Sequence, residues 1–181
     1  DVHFNVAKSV ELALKDGKDW HTGELLGVET GDPLGFTSFE QVMQAYKKQL
    51  SATVENVTKI TSACDALRGK YVPCPFLSAV IDGCVEKGKD IRDVGAIYNF
   101  TTFNGVGIAT AADSLAAIKK IVFDDKRLTM PELLQALRDN FEGKEHVRQM
   151  LVNKAPKFGN DDEYVDSIAR EIFRFWCQEV S

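Results

Sequence analysis

The residues Gly83-Cys84-Val85-Glu86 set a thiol two positions ahead of a carboxylate, an arrangement that covalent or radical cysteine chemistry could use. Farther along, Tyr98, Asn99, Thr101 and Asn104 gather hydrogen-bonding side chains that do not titrate near neutrality. Such groups can orient a polar substrate while bonds change elsewhere. The stretch Asn104–Ala109, "NGVGIA", could open a helix against a phosphate, as a dinucleotide loop does, although Thr110 stands where a third small residue is wanted. Cys64, Cys74, Cys84 and Cys177 form no C-x-x-C pair, and His3, His21 and His146 are scattered, so no metal site is expected. The acids and amides of Gly159–Asp166 fit a helix start at the positive end of its dipole better than they fit a cation site.

What these residues can do depends on the elements that carry them. Phe76, Leu77, Val80, Ile81, Cys84 and Val85 recur on one face of a helix, which Gly88 would close. On that reading Cys84 sits in an apolar stripe, and Glu86, two residues on, does not face it. A cysteine so placed is a small hydrophobe, and Cys84 is taken as a structural lookalike of a catalytic thiol. Gly95–Thr102, "GAIYNFTT", reads as the one convincing strand; alternation would put Asn99, Thr101 and Phe103 on one side and Tyr98, Phe100 and Thr102 on the other. Around these lie a first helix patterned from about Phe4 and ended by Gly17, and an irregular stretch from Lys18 to Thr37 that carries Trp20 and His21. A long helix follows, boxed by Ser38 and Gln41 and running to about Leu67, then a helix over Ile108–Phe123. A second box, Thr129 with Glu132, opens another helix, and the last is capped by Asn160 or Asp161. Seven or so helices and one or two strands result.

The chain has 181 residues, 44% apolar, and a net charge of -5. That is enough for a core, and it lacks the basic surplus that nucleic acid requires. No apolar run is long enough to cross a membrane, so no membrane partner is expected and a cytoplasmic location is. The start at Asp1 and the apolar pattern Val165, Ile168, Ala169, Ile172, Phe173, Trp176 near the end suggest a piece of a longer protein, one that would be poorly stable or self-associating alone.

Four blocks carry a resemblance: "TGDPLGFTSFEQV" (Thr30–Val42), "PCPFLSAVIDGCVEKGKDI" (Pro73–Ile91), "GAIYNFTTFNGVGIATAADSLAAIKKIVF" (Gly95–Phe123) and "NKAPKFGNDDEYVD" (Asn153–Asp166). In order and spacing they resemble the glycyl radical enzymes, the pyruvate formate-lyase-like group. The resemblance implies an α/β fold, predominantly helical here, as a portion of a ten-stranded β/α barrel. Residues 1–181 would be a single segment of that barrel domain, without the thiyl loop and the C-terminal glycyl radical domain. It implies a parent that breaks C–C, C–O or C–N bonds of a small organic substrate by thiyl-radical hydrogen abstraction, in the manner of dehydratases, decarboxylases, lyases or formate C-acetyltransferase. The parent would carry a glycyl radical, installed by an activating enzyme with an iron–sulfur cluster and S-adenosylmethionine, and would work as a homodimer; this chain alone would hold no cofactor and be inactive. The family's thiyl motif is itself Gly-Cys-Val-Glu, but "DGCVEKGKDI" aligns downstream of it, and Arg92–Ala96 has neither the spacing nor the aromatic of the glycyl motif. Many members have Gly-Pro-Gln where Thr102-Phe103-Asn104 stands, a departure that hints at a more apolar or aromatic substrate. Asn99, Thr101 and Asn104 are the candidate substrate contacts. The alternatives are a nucleotide-binding fragment built on "NFTTFNGVG" and a non-catalytic helical interaction module.

Overall fold

Strands β1 (Val2–Asn5) and β2 (Phe103–Val106) pair in a two-stranded sheet in the computed structural model, which describes residues 2–181. Val2 N–H donates to the Thr102 carbonyl and Val6 N–H to the Val106 carbonyl, each at 2.9 Å. The two bonds keep the same offset along both strands, which is the register of a parallel pair joined by a long crossover. This register sets Phe4 beside Gly105 and His3 beside Asn104. Neither strand lies where the sequence pattern puts it. The helical pattern read from Phe4 begins in earnest only at α1 (Lys8–Ala13), and the expected strand over Gly95–Thr102 is a loop. Its β-prone composition finds no strand to pair with: the Gly95 and Ile97 N–H groups go to the Asp90 and Asp82 carbonyls at 3.0 Å. Ile97, Tyr98 and Phe100 are exposed, and the two rings stack 6.1 Å apart.

The chain divides into two compact units. One comprises Val54–Phe103 with Val2; the other comprises His3–Thr53 and Asn104–Ser181. Helix α2 (Phe39–Tyr71) supplies residues to both. At its start the Gln41 Oε1 accepts the N–H groups of Thr37 at 2.6 Å and Ser38 at 3.2 Å, the backward half of the expected box.

In the first unit the expected helix over Phe76–Val85 is replaced by two short ones, α3 (Pro75–Ser78) and α4 (Cys84–Lys87). Gly83 breaks the run: it takes φ +94°, and a Cβ there would sit 2.9 Å from the Ile97 nitrogen. The apolar stripe therefore does not form, and Phe76, Val80 and Val85 are exposed. Asp90 ties the unit's turns together, its carboxylate accepting from Cys74 N, Ser78 Oγ and Arg92 N at 2.7–2.9 Å.

In the second unit, α5 (Ile108–Ile118) packs against α8 (Glu163–Glu179) and also touches α1 and α7 (Glu145–Asn153). Ala111, Ala112, Leu115 and Ala116 of α5 are fully buried, the three small alanine side chains letting the partner helix approach closely. The helix then widens into a π-helical turn, Lys119–Asp124. Helix α6 (Met130–Arg138) starts at the expected Thr129–Glu132 box. The cap of α8 falls one residue beyond those anticipated: Asp162 accepts the Tyr164 N–H at 2.9 Å, while Asp161 is left in a positive-φ turn.

In the irregular stretch 18–37 one buried amide holds the middle. Gln49 of α2 is fully buried, and its Oε1 accepts Val28 N–H at 3.0 Å while its Nε2 donates to Val28 O at 2.6 Å and Thr30 Oγ1 at 3.1 Å. Gly27 must lack a side chain, since a Cβ would lie 2.0 Å from the Gln49 Oε1. Replacing Gln49 by Ala removes both hydrogen bonds that the Val28 backbone makes to it, a net loss of about 1–3 kcal/mol for the two together. Limited proteolysis is expected to show cleavage within residues 18–37 of Gln49→Ala well before cleavage elsewhere; an unchanged cleavage pattern would contradict this role.

Candidate active-site segment

The sheet presents two unlike faces. On one, Phe4 is buried with its ring centroid 4.9 Å from that of Trp176 on α8, and the Trp176 indole covers Gly105 so closely that a Cβ would lie 3.0 Å from Cε2. On the other face stand His3 and Asn5 of β1, both exposed, with Asn104 half-buried and Val106 exposed on β2. Asn5 serves its own helix, its Oδ1 accepting the Lys8 N–H at 3.2 Å. Of the three candidate contacts the structure puts Asn104 on this strand. Asn99 and Thr101 lie exposed in the preceding loop, so the expected alternation along a strand through them does not arise; the Thr101 hydroxyl reaches Asp65 Oδ2 at 3.3 Å. His3 went unnoticed among the scattered histidines, because its neighbour Asn104 is brought to it by a pairing between distant parts of the chain.

Cys84 is 2% exposed, although not by way of a helical stripe. The turn around it lies against Gly95–Ile97: Ile97 N–H donates to Asp82 O at 3.0 Å and Lys87 Nζ to Ala96 O at 2.8 Å. Glu86 turns back to accept the Gly83 N–H at 3.0 Å, so it is engaged as a cap. Among the described residues no group of His, Cys, Asp and Glu could hold a metal, and no helix is long and apolar enough to cross a membrane. Gly95 is buried, with the Lys89 carbonyl oxygen 2.2 Å from where a Cβ would be.

Trp20 and His21 are placed by Asp19. Its Oδ1 accepts His21 N–H at 2.9 Å and Thr22 N–H at 2.7 Å, and its Oδ2 meets Lys8 Nζ at 2.6 Å. The two rings then border a groove of about 920 Å³ floored by Val10, Leu14, Ala117 and Leu133. Lys15 adds to the rim, its ammonium 5.2 Å from the Trp20 ring.

The phosphate-loop reading of "NGVG" meets an obstacle. Gly107, with φ +88°, begins α5 after a parallel strand, as a nucleotide fold would have it, yet its Cβ position is 3.4 Å from the Ala7 Cβ. The glycine accommodates the neighbouring start of α1. The profile of the pyruvate formate lyase-like family matches residues 1–181. The chain belongs to that family, the glycyl radical enzymes. It is 44% identical over 179 residues to trans-4-hydroxy-L-proline dehydratase of Clostridioides difficile, covering 99% of this chain and 23% of that protein. The crystal structure of the hydroxyproline dehydratase from that organism, with trans-4-hydroxy-L-proline bound, superposes with a TM-score of 0.94 over 98% of this chain and 22% of its own. The glycerol-bound B12-independent glycerol dehydratase of Clostridium butyricum, 40% identical, superposes with a TM-score of 0.91 over the same shares of the two chains. The chain thus spans less than a quarter of the length of these relatives. The expected fold class stands: this is a predominantly helical α/β portion of a glycyl radical enzyme.

Two outcomes follow from the buried thiol and the anchored loop. In the folded protein, exposed Cys64 reacts first with a thiol reagent, and Cys84 reacts only as fast as the segment opens; peptide mapping that found Cys84 labelled together with Cys64 would refute its burial. The Lys8 ammonium and the Thr22 N–H hold the Asp19 carboxyl well below the usual carboxylate range. The folded-state pKa is the lower one, so its stabilisation is complete above the unfolded carboxylate pKa of about 3.9 and is lost as pH falls through the depressed folded value. Asp19→Asn should lower the melting temperature at neutral pH and narrow the gap to wild type in acid, as melts across that range would show.

Proposed function

We propose that this chain is a segment of a glycyl radical enzyme that breaks a C–C, C–O or C–N bond of a small organic substrate through thiyl-radical hydrogen abstraction. The observation that carries the reading is the 44% identity, at a TM-score of 0.94, to a hydroxyproline dehydratase of this family. In this reading neither radical residue belongs to the segment, because "DGCVEKGKDI" falls downstream of the family's thiyl motif and Arg92–Ala96 lacks the spacing and the aromatic of the glycyl motif. The thiyl loop and the glycyl domain lie elsewhere in the parent polypeptide, so the 181 residues have no activity by themselves. Formate C-acetyltransferase chemistry remains within the same reading. Its partners are the rest of the barrel, a second copy in a homodimer and an activating enzyme with an iron–sulfur cluster and S-adenosylmethionine, all in the cytoplasm. Asn99, Thr101 and Asn104 are the segment's contacts with substrate, as uncharged groups that orient it.

The test is anaerobic activation of the full-length polypeptide with such an activating enzyme, S-adenosylmethionine and a reductant, followed by electron paramagnetic resonance. A glycyl doublet and turnover of a hydroxylated or sulfonated small molecule are expected. Absence of the doublet from the activated full-length protein would sink the proposal.

A further inference from the structure

Parallel strands covered by helices are found in α/β folds whose other sheet surface is enclosed by protein or ligand, with ligands held beyond the strands' carboxyl ends. The β1–β2 pair has one covered face, because Phe4 and Gly105 are locked against Trp176. Its opposite face carries the polar side chains of His3, Asn5 and Asn104 together with exposed Val106. His3 and Asn104 are lateral neighbours there, on strands about 4.8 Å apart, and can address one small molecule together. Neither side chain is used in holding this unit together, unlike Asn5, which caps α1. The loop carrying Asn99 and Thr101, by contrast, is outside the strands.

Resting on the reading of the parent as a glycyl radical enzyme, we infer that His3 and Asn104 form a substrate-orienting pair on the uncovered face of the β1–β2 sheet. The pair binds a hydroxyl, carboxylate or sulfonate of a small polar substrate: Asn104 offers both an amide donor and a carbonyl acceptor, and His3 a ring N–H donor. These residues hold the substrate and transfer no radical. Side chains alternate along β2, which leaves Asn104 as its polar reader on the open face.

The experiment uses the activated full-length enzyme with trans-4-hydroxy-L-proline, glycerol and isethionate as probes, and compares His3→Ala, Asn104→Ala and, as a control, His146→Ala, an exposed histidine on α7. Loss of hydrogen bonds to substrate lowers kcat/KM for the accepted probe by about ten- to hundredfold in the first two variants, with preference among the probes altered. Their radical signal and melting temperature stay at wild-type values, which separates orientation of substrate from damage to the fold; His3→Gln, retaining a donor, recovers part of the loss. If kcat/KM of both alanine variants stays within about twofold of wild type, the inference fails while the family reading stands. If the wild-type enzyme forms no radical or accepts none of the probes, carbethoxylation of the full-length protein by diethyl pyrocarbonate decides. His3 modified much more slowly than His146 supports an enclosed face, and equal rates overturn it.

Discussion

The missing side chain at Gly105 governs how the second unit is assembled. With no Cβ on that residue, the Trp176 indole lies directly on the β2 backbone and meets Phe4 on β1 edge to face. The contact fixes the sheet to α8. Since β2 runs straight through Gly107 into α5, and α5 packs on α8, the strand, its following helix and the last helix form a closed circuit. Any side chain at position 105 would push the indole off the strand. The circuit also decides which face of the sheet is taken and which is left: Phe4 and Gly105 turn inward together, so His3 and Asn104 must turn the other way.

Where the chain is irregular, backbone contacts do what regular pairing does elsewhere. Gln49 imitates a neighbouring strand, giving Val28 an acceptor and a donor at once, and it can approach because Gly27 is bare. Asp19 and Asp90 act similarly with their carboxylates, Asp19 gathering the donors of its own turn and Lys8, and Asp90 joining Cys74, Ser78 and Arg92. Such loops keep a fixed shape without helix or strand, which is what a segment needs if it is to deliver Trp20, His21 or Asn99 to a defined place.

The features legible in the sequence are those decided within a few residues. The Thr129–Glu132 box, the end of α4 at Gly88 and the apolar stripe of α8 through Val165, Ile168, Ala169, Ile172 and Trp176 stand, because capping and helical periodicity are local, whereas α1 already ends at Ala13 and Gly17 closes the turn that follows. The errors arise where a distant partner decides. Gly95–Thr102 has the composition of a strand but no strand beside it, whereas Phe103–Val106, with two glycine-flanked positions, is a strand because β1 is there. Phe76–Val85 shows helical spacing, yet Gly83 must meet the Ile97 backbone, and that contact splits the helix. Cys84 is buried as expected through a different mechanism. The pairing of His3 with Asn104 could not be read at all, since it depends on the register of a parallel sheet whose first strand was taken for helix.

The ionisation pattern points to the kind of chemistry this segment supports. Each carboxylate that the structure shifts is shifted downward: Asp19 by Lys8, Asp90 by the Arg92 N–H, Asp124 by the Tyr164 hydroxyl, Glu132 by Thr129, Asp139 by Lys144, and Glu145 by Arg148 to about 2. A general acid or base at neutral pH requires the opposite, a carboxyl raised by burial or by a neighbouring negative charge. These groups are spent on turns, caps and helix surfaces, where a permanent charge strengthens the bonds they accept. The uncharged polar side chains on the open face of the sheet and in the loop before it suit orientation better than proton transfer. That division is what the proposed reading expects of a segment that holds neither radical residue.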